Sequence, residues 1–200
     1  MTKNKIKEVA CRQLAEKGYE RTTLSSIAKE VGIKTPSIYA FYKSKEDLFM
    51  VVYKDLLQDY YLYIKDSIDN LTNGSVKDKL HQIIKELCHY QLSSPEKTML
   101  FAKFTIFLPP ALTDELKITF SEMEDILCNI LKDIFSQGIT QGVVKDQSVD
   151  DLIASFLCLI DGIFWELLIY PVDKFKKRVE QVWRVYWNGI TTDNIKEELS

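Results

Sequence analysis

Apolar residues recur at three- and four-residue intervals along nearly the whole chain, and no stretch sustains the alternation of a half-buried strand. That spacing is the main local signal of an amphipathic helix, so the expected fold is all-α. Ile6, Val9, Ala10 and Leu14 mark a first helix that Gly18 can close. Leu24, Ile27, Ala28 and Val31 mark a second, capped by Thr23. Thr35 is expected to cap a short third helix with Pro36 at its first position, where the missing N–H costs nothing. Ser44, with Asp47 three residues on, opens a long helix carrying Phe49, Val52, Leu56, Tyr60, Ile64 and Ile68. Further helices are expected near 75–92, 95–107, 111–138, 148–170 and 173–189, broken at Ser93-Ser94-Pro95, Pro109-Pro110, Gly138 to Gly142 and Pro171. This divides the chain into a three-helix head over 1–46 and a helical body over 47–200.

The net charge of −3 hides an uneven distribution. Residues 1–50 carry a balance of +4 and the remainder −7. A basic head on an acidic body points to a polyanionic partner for the head alone. The four cysteines, Cys11, Cys88, Cys128 and Cys158, are 77, 40 and 30 residues apart, which makes no zinc or redox pair in sequence. Cys11, Cys128 and Cys158 fall in helical apolar patterns and are expected as small core residues. Lys3, Lys5, Lys7 and Glu8 interrupt any signal-peptide pattern, so a reduced, cytoplasmic protein is expected. The run 152–170 has the length of a membrane span, but Asp161 and Glu166 interrupt it at about 2.5–3.5 kcal/mol each near a bilayer centre. A soluble helix buried on nearly all sides, in mid-domain or at a subunit contact, fits better, and no membrane partner is expected.

Residues 24–42 have the form of two short helices joined at Gly32-Ile33, the helix-turn-helix pattern whose second helix enters the DNA major groove. Ile27, Val31, Ile33 and Ile38 supply a buried wedge. Thr35, Pro36, Ser37, Tyr39 and Ala40 are left to face outward. Helix starts at Thr23 and Thr35 can offer N–H groups to phosphates, and Lys34, Lys43 and Lys45 ring the same surface. Ile38 and Tyr42 take the buried spacing, which frees Tyr39. Lys45 in the first turn of a helix is electrostatically unfavourable unless an anion such as a phosphate meets it. The competing reading is a helical ligand- or partner-binding module whose head binds protein rather than DNA.

The run "TTLSSIAKEVGIKTPSIYAFYKSKEDLF", 22–49, resembles the TetR family of bacterial transcriptional regulators. The matching positions are Thr22-Thr23, Ile27-Ala28, Gly32-Ile33, Tyr39, Tyr42, Lys43, Lys45, Glu46 and Leu48. The resemblance implies a homodimer with two DNA-reading heads, usually a repressor released by a small ligand. It also implies that Tyr39 and Lys45 contact the DNA backbone and that residues near 34–40 touch bases. Where the family often has His, this chain has Phe41, whose ring offers apolar contact with a sugar or a thymine methyl instead of a phosphate hydrogen bond.

The last two helices can pair with their copies in a second chain as a four-helix interface, with Ile160, Phe164, Leu167, Val179, Val182, Trp183 and Tyr186 as the expected contact residues. Tyr60, Tyr90, Phe101, Phe104, Phe107, Phe120, Met123, Phe156 and Trp165 recur on expected inward faces. Together they can line an apolar cavity for a small hydrophobic molecule. Asp161 has two open placements, across the dimer or facing the cavity, where it would favour a cationic ligand. Glu166 is expected at an exposed edge. His81 and His89 have no partners at metal spacing, and no triad or phosphate-binding glycine loop is present, so neither an enzyme nor a cofactor is expected.

Overall fold

The computed structural model describes residues 2–70, 74–106 and 109–192. It is all-α. Eight α-helices are described: α1 (Thr2–Arg21), α2 (Leu24–Val31), α3 (Lys45–Asp69), α4 (Val76–Ser93), α5 (Pro95–Ile106), α6 (Thr113–Thr140), α7 (Val149–Ile169) and α8 (Val172–Ile190). Short 3₁₀ turns stand at Thr35–Ser37 and Pro110–Leu112. The expected helix bounds in the body agree to within two residues. An isolated antiparallel bridge, Val144 to Thr191, fastens the α6–α7 connection to the end of α8.

Two compact units emerge, and α3, α4 and α6 each contribute to both. The first comprises Met1–Tyr61 and Gln91–Glu124, the second Leu62–Tyr90 and Asp125–Ser200. In the first, Ile6, Val9, Ala10 and Leu14 of α1 are buried with Leu24, Ile27, Ala28 and Val31 of α2, as their spacing predicts. Phe49 of α3 meets Tyr19 edge-on at 4.8 Å and Phe104 of α5 at 4.6 Å. In the second unit, Phe135 of α6 and Phe156 of α7 meet edge-on at 6.1 Å, and Trp183 of α8 stacks on His81 of α4 at 4.9 Å. Gly138 permits a close approach there, since a Cβ at that position would lie 2.6 Å from Val144 Cγ2.

Three expectations are corrected. Helix α7 is long and apolar enough to span a membrane by length and composition, yet only 33% of its apolar window is buried. It is therefore not enclosed on nearly all sides: one stripe packs in the second unit and another is open. Cys158 lies on the open stripe and is exposed, so it is not a core residue. Glu166 is half-buried and held by the Arg178 guanidinium, whose Nη2 donates to Glu166 Oε1 at 2.7 Å. Hydrogen bonding to Arg178, and then its charge, holds the Glu166 carboxyl below its ordinary range.

Candidate nucleic-acid interface

The geometry of the head starts with how α2 is fixed. The Thr23 side chain accepts from the Ser26 N–H at 3.1 Å, and Ser26 Oγ accepts from the Thr23 N–H at 3.2 Å, which closes a capping box with serine in the usual glutamate position. Gly32 ends the helix at φ 83°, ψ 30°, a left-handed conformation that glycine adopts without penalty. Gln13 of α1 is buried. Its Nε2 donates to Glu30 Oε2 at 2.7 Å, and its Oε1 accepts from Ser26 Oγ at 2.6 Å. Arg12 also pairs with Glu30. Both ends of α2 are thus tied to α1 by polar groups as well as by the apolar wedge.

The segment after Gly32 departs from expectation. Thr35 does not cap an α-helix; Lys34 occupies the N-cap position without a side-chain cap, and Thr35–Ser37 form a single 3₁₀ turn. The chain continues as hydrogen-bonded turns, with the Phe41 and Tyr42 N–H groups donating to Ile38 O at 2.9 and 3.0 Å. Only one of these is an α-type bond. Two side chains anchor the segment. Ile38 and Tyr42 are buried, and burial, then Asp55 and Asp47, pushes the Tyr42 hydroxyl up to about 12.

With those anchors inside, the rest points out. Tyr39 is 57% exposed and Phe41 43% exposed. Lys34, Pro36, Ser37, Ala40 and Lys43 are exposed, as is Thr23 at the start of α2, while Thr35 and Lys45 are half-buried. Helix α3 then opens with Ser44 Oγ accepting from the Asp47 N–H at 3.2 Å, while the Asp47 carboxylate reaches back to the Lys43 N–H at 2.7 Å. The Lys45 ammonium sits over the Tyr19 ring. That ring partly explains how a lysine is tolerated at a helix start, where sequence alone offered only a phosphate. Next to it, Glu46 accepts from the Tyr19 hydroxyl. Its own backbone amide first, then the Ser44 and Tyr19 hydroxyls, hold the Glu46 carboxyl below its ordinary range.

A wedge-anchored turn beside a capped short helix leaves two exposed aromatics and a fringe of lysines on one surface, the arrangement that a helix-turn-helix offers to a DNA groove. Residues 6–52 match the family model described as bacterial regulatory proteins, tetR family. The head is that of the TetR family. Among relatives of the chain, the fatty acid metabolism regulator protein of Bacillus subtilis is 26% identical over 141 residues, 70% of either chain. The nucleoid occlusion factor SlmA of Pasteurella multocida is 24% identical over 174 residues, 86% of this chain and 83% of its own. The crystal structure of the transcriptional regulator FadR from Bacillus subtilis in complex with stearoyl-CoA shares the fold, with a TM-score of 0.72 at 23% identity over 94% of this chain and 98% of that one. The chain is accordingly a transcriptional regulator.

The remaining expected site residues fall in both units. In the first, Tyr60 stacks on Phe101 at 6.1 Å and Phe101 meets Phe120 at 6.4 Å, with Met123 half-buried. Phe104 instead joins Phe49 and Tyr53 of α3. In the second, Phe156 packs against Phe135 and Tyr186, Tyr90 against Tyr63, and Trp165 against Phe164. Phe107 lies outside the described residues. Asp161 is exposed, and its apolar surroundings raise its carboxyl above the ordinary range. Of the expected dimer residues, Ile160, Phe164, Val179 and Trp183 are buried within the second unit, Leu167 and Tyr186 are half-buried, and Val182 is exposed. On α7 and α8 the large apolar side chains left open are Leu168, Ile169, Val172, Val182 and Val185.

Sequence reading missed Gln13 and Tyr19. Gln13 carried a signal, a polar side chain on the buried register of Val9 and Ala10. Tyr19 carried none, because it follows the glycine at which the helical pattern stops.

Proposed function

We propose that this regulator is a repressor that binds a near-palindromic operator as a homodimer and leaves it when a small hydrophobic effector binds. The reading assigns DNA binding to residues 1–46 and effector binding and dimerisation to 47–200. The observation that carries it is the anchoring of the Thr35–Tyr42 segment by Ile38 and Tyr42, which leaves Tyr39 and Phe41 in solvent. Lone exposed aromatics with flanking lysines serve duplex contact better than they serve stability. In this reading Thr35, Pro36, Ser37 and Ala40 lie along base edges, and Lys34, Tyr39, Lys43 and Lys45 hold phosphates.

Dimerisation is supported by the open apolar stripe of α7 and α8, where Leu168, Ile169, Val182 and Val185 are exposed. Paired heads also fit the affinity a regulator needs, since dimers read two half-sites about one helical turn apart. An apolar effector is supported by the Tyr60–Phe101–Phe120 aromatic series and by the acyl ligand in the FadR complex. Its binding would be transmitted to the head along α3, and only a difference in affinity between the two head spacings would release DNA. A cytoplasmic, non-enzymatic role follows from the same reading. Sedimentation together with fluorescence anisotropy on labelled duplexes tests it. A dimer binding with a steep negative salt dependence is expected; a strict monomer at micromolar concentration that shifts no duplex at low salt contradicts it.

A further inference from the structure

Helix α1 breaks at Gly18, where φ 76° and ψ 174° carry the chain out of helical geometry. The break removes the N–H donors that would have served the preceding carbonyls. Lys103 of α5 meets them instead: its ammonium donates to Ala15 O and, at 3.2 Å, to Glu16 O. A cation from one helix thus caps the end of another, where the helix dipole also favours it.

The same lysine borders a cleft of about 750 Å³ in the first unit, within the size range of small-molecule sites. Its walls are apolar, formed by Leu14, Phe104, Pro109 and Ile106, and Ile106 is 55% exposed. Around it stand Lys17, Arg21 and Lys103 against a single carboxylate, Glu20. Among the described residues, none of the three cations is in an ion pair. Among the described residues, Lys103 has only neutral carbonyls as partners, so an incoming anion would make the stronger, charge-assisted bond. Among the described lining residues, Phe104 is the one that belongs to the expected effector set.

We infer that this cleft binds an amphiphilic anion, an aliphatic chain ending in a carboxylate or phosphate, whose head group draws Lys103 away from the α1 carbonyls while the chain covers Phe104, Ile106 and Pro109. Removing the cap loosens the end of α1 next to Tyr19, the residue that holds Lys45 and Glu46. Binding at the cleft therefore reaches the DNA-facing surface; this consequence, unlike the site itself, rests on the DNA-binding reading.

The test is calorimetric titration of the full chain with dodecanoate, dodecyl phosphate and dodecanol, each below its micellar concentration. At least one anion should bind about tenfold more tightly than dodecanol, the worth of one charge-assisted hydrogen bond. Whichever anion binds tighter identifies the head group. Lys103→Met, which keeps the aliphatic stem, should abolish that advantage and leave dodecanol affinity unchanged. Ile106→Asp, at an exposed position, should weaken all three ligands. Should Lys103→Met fail to fold, by circular dichroism, the double variant Lys17→Gln/Arg21→Gln should reduce the advantage in its place. Dodecanol binding as tightly as both anions, an advantage that survives these charge removals, affinities untouched by Ile106→Asp, or no binding at all would each overturn the assignment. Duplex binding by the ligand-free protein is measured separately, and its absence would contradict the DNA reading without touching the cleft.

Discussion

The Lys45 ammonium lies 3.9 Å from the centroid of the Tyr19 ring, and the Tyr19 hydroxyl donates to Glu46 at 2.8 Å. One residue of α1 thereby fixes two consecutive side chains in the first turn of α3, beside the segment proposed to read DNA. A ring under an exposed ammonium contributes about 0.5–1 kcal/mol, enough to bias where the charge points without removing it from solvent.

Lys45→Ala should weaken binding to all duplexes alike and lower the salt slope by about 1 per head, since one phosphate contact is lost. Substitutions at Thr35 or Ser37 should change base preference instead. Binding isotherms at several salt concentrations separate the two effects. A Lys45→Ala protein with altered preference and an unchanged salt slope would show the roles to be wrongly assigned.

Gln13→Leu should destabilise the protein by about 1–3 kcal/mol, because half-buried Ser26 and the Glu30 carboxylate both lose their hydrogen bond to a buried amide while the apolar volume is kept. Urea denaturation measures this. Stability equal to that of the parent chain would mean that water replaces the amide without penalty.

Gly138→Ala should destabilise by about 1–3 kcal/mol through overpacking, since the new methyl would meet Val144 Cγ2 at 2.6 Å and Val76 Cγ1 at 3.1 Å. Both valines are β-branched and buried, so neither has a free rotamer to retreat into. A thermal unfolding midpoint unchanged from the parent would contradict the close approach.

Much of this was legible beforehand. Helix bounds in the body followed from proline and glycine breaks, and the buried register of α1 and α2 followed from three- and four-residue spacing. The form of the Thr35–Tyr42 segment did not. Ile38 and Tyr42 lie four apart, a separation that a 3₁₀ turn followed by other turns buries as well as an α-helix does. The inward faces of α7 and α8 were equally ambiguous. Helix α7 is apolar nearly all round, so composition cannot say which stripe meets its own unit; α8 has one apolar face, which spacing alone cannot divide between its own unit and a second copy, and on it Trp183 stacks on His81. The Lys103 cap joins residues 88 positions apart and leaves no trace in local spacing.

His81 gives a pH prediction. Desolvation against Trp183 is the largest influence on its imidazole and lowers its pKa from the ordinary 6.5, with Glu180 opposing and Lys85 and Lys77 assisting. The unfolded chain therefore binds the proton more readily than the folded one. The contribution to stability is fully present above pH 6.5 and is lost as pH falls from there through the lower folded value. Relative to His81→Phe, the parent protein should lose melting temperature as pH drops below 6.5. Parallel profiles for the two proteins would contradict this.

The central claim is that two copies of the head read one duplex through the Lys34–Lys45 surface. Selection of bound sequences from a pool of random duplexes by the full chain tests it most directly. The account predicts convergence on two inverted half-sites at a fixed spacing of about one helical turn. Recovered duplexes with no shared half-site, or with a single half-site and no symmetry, would contradict it.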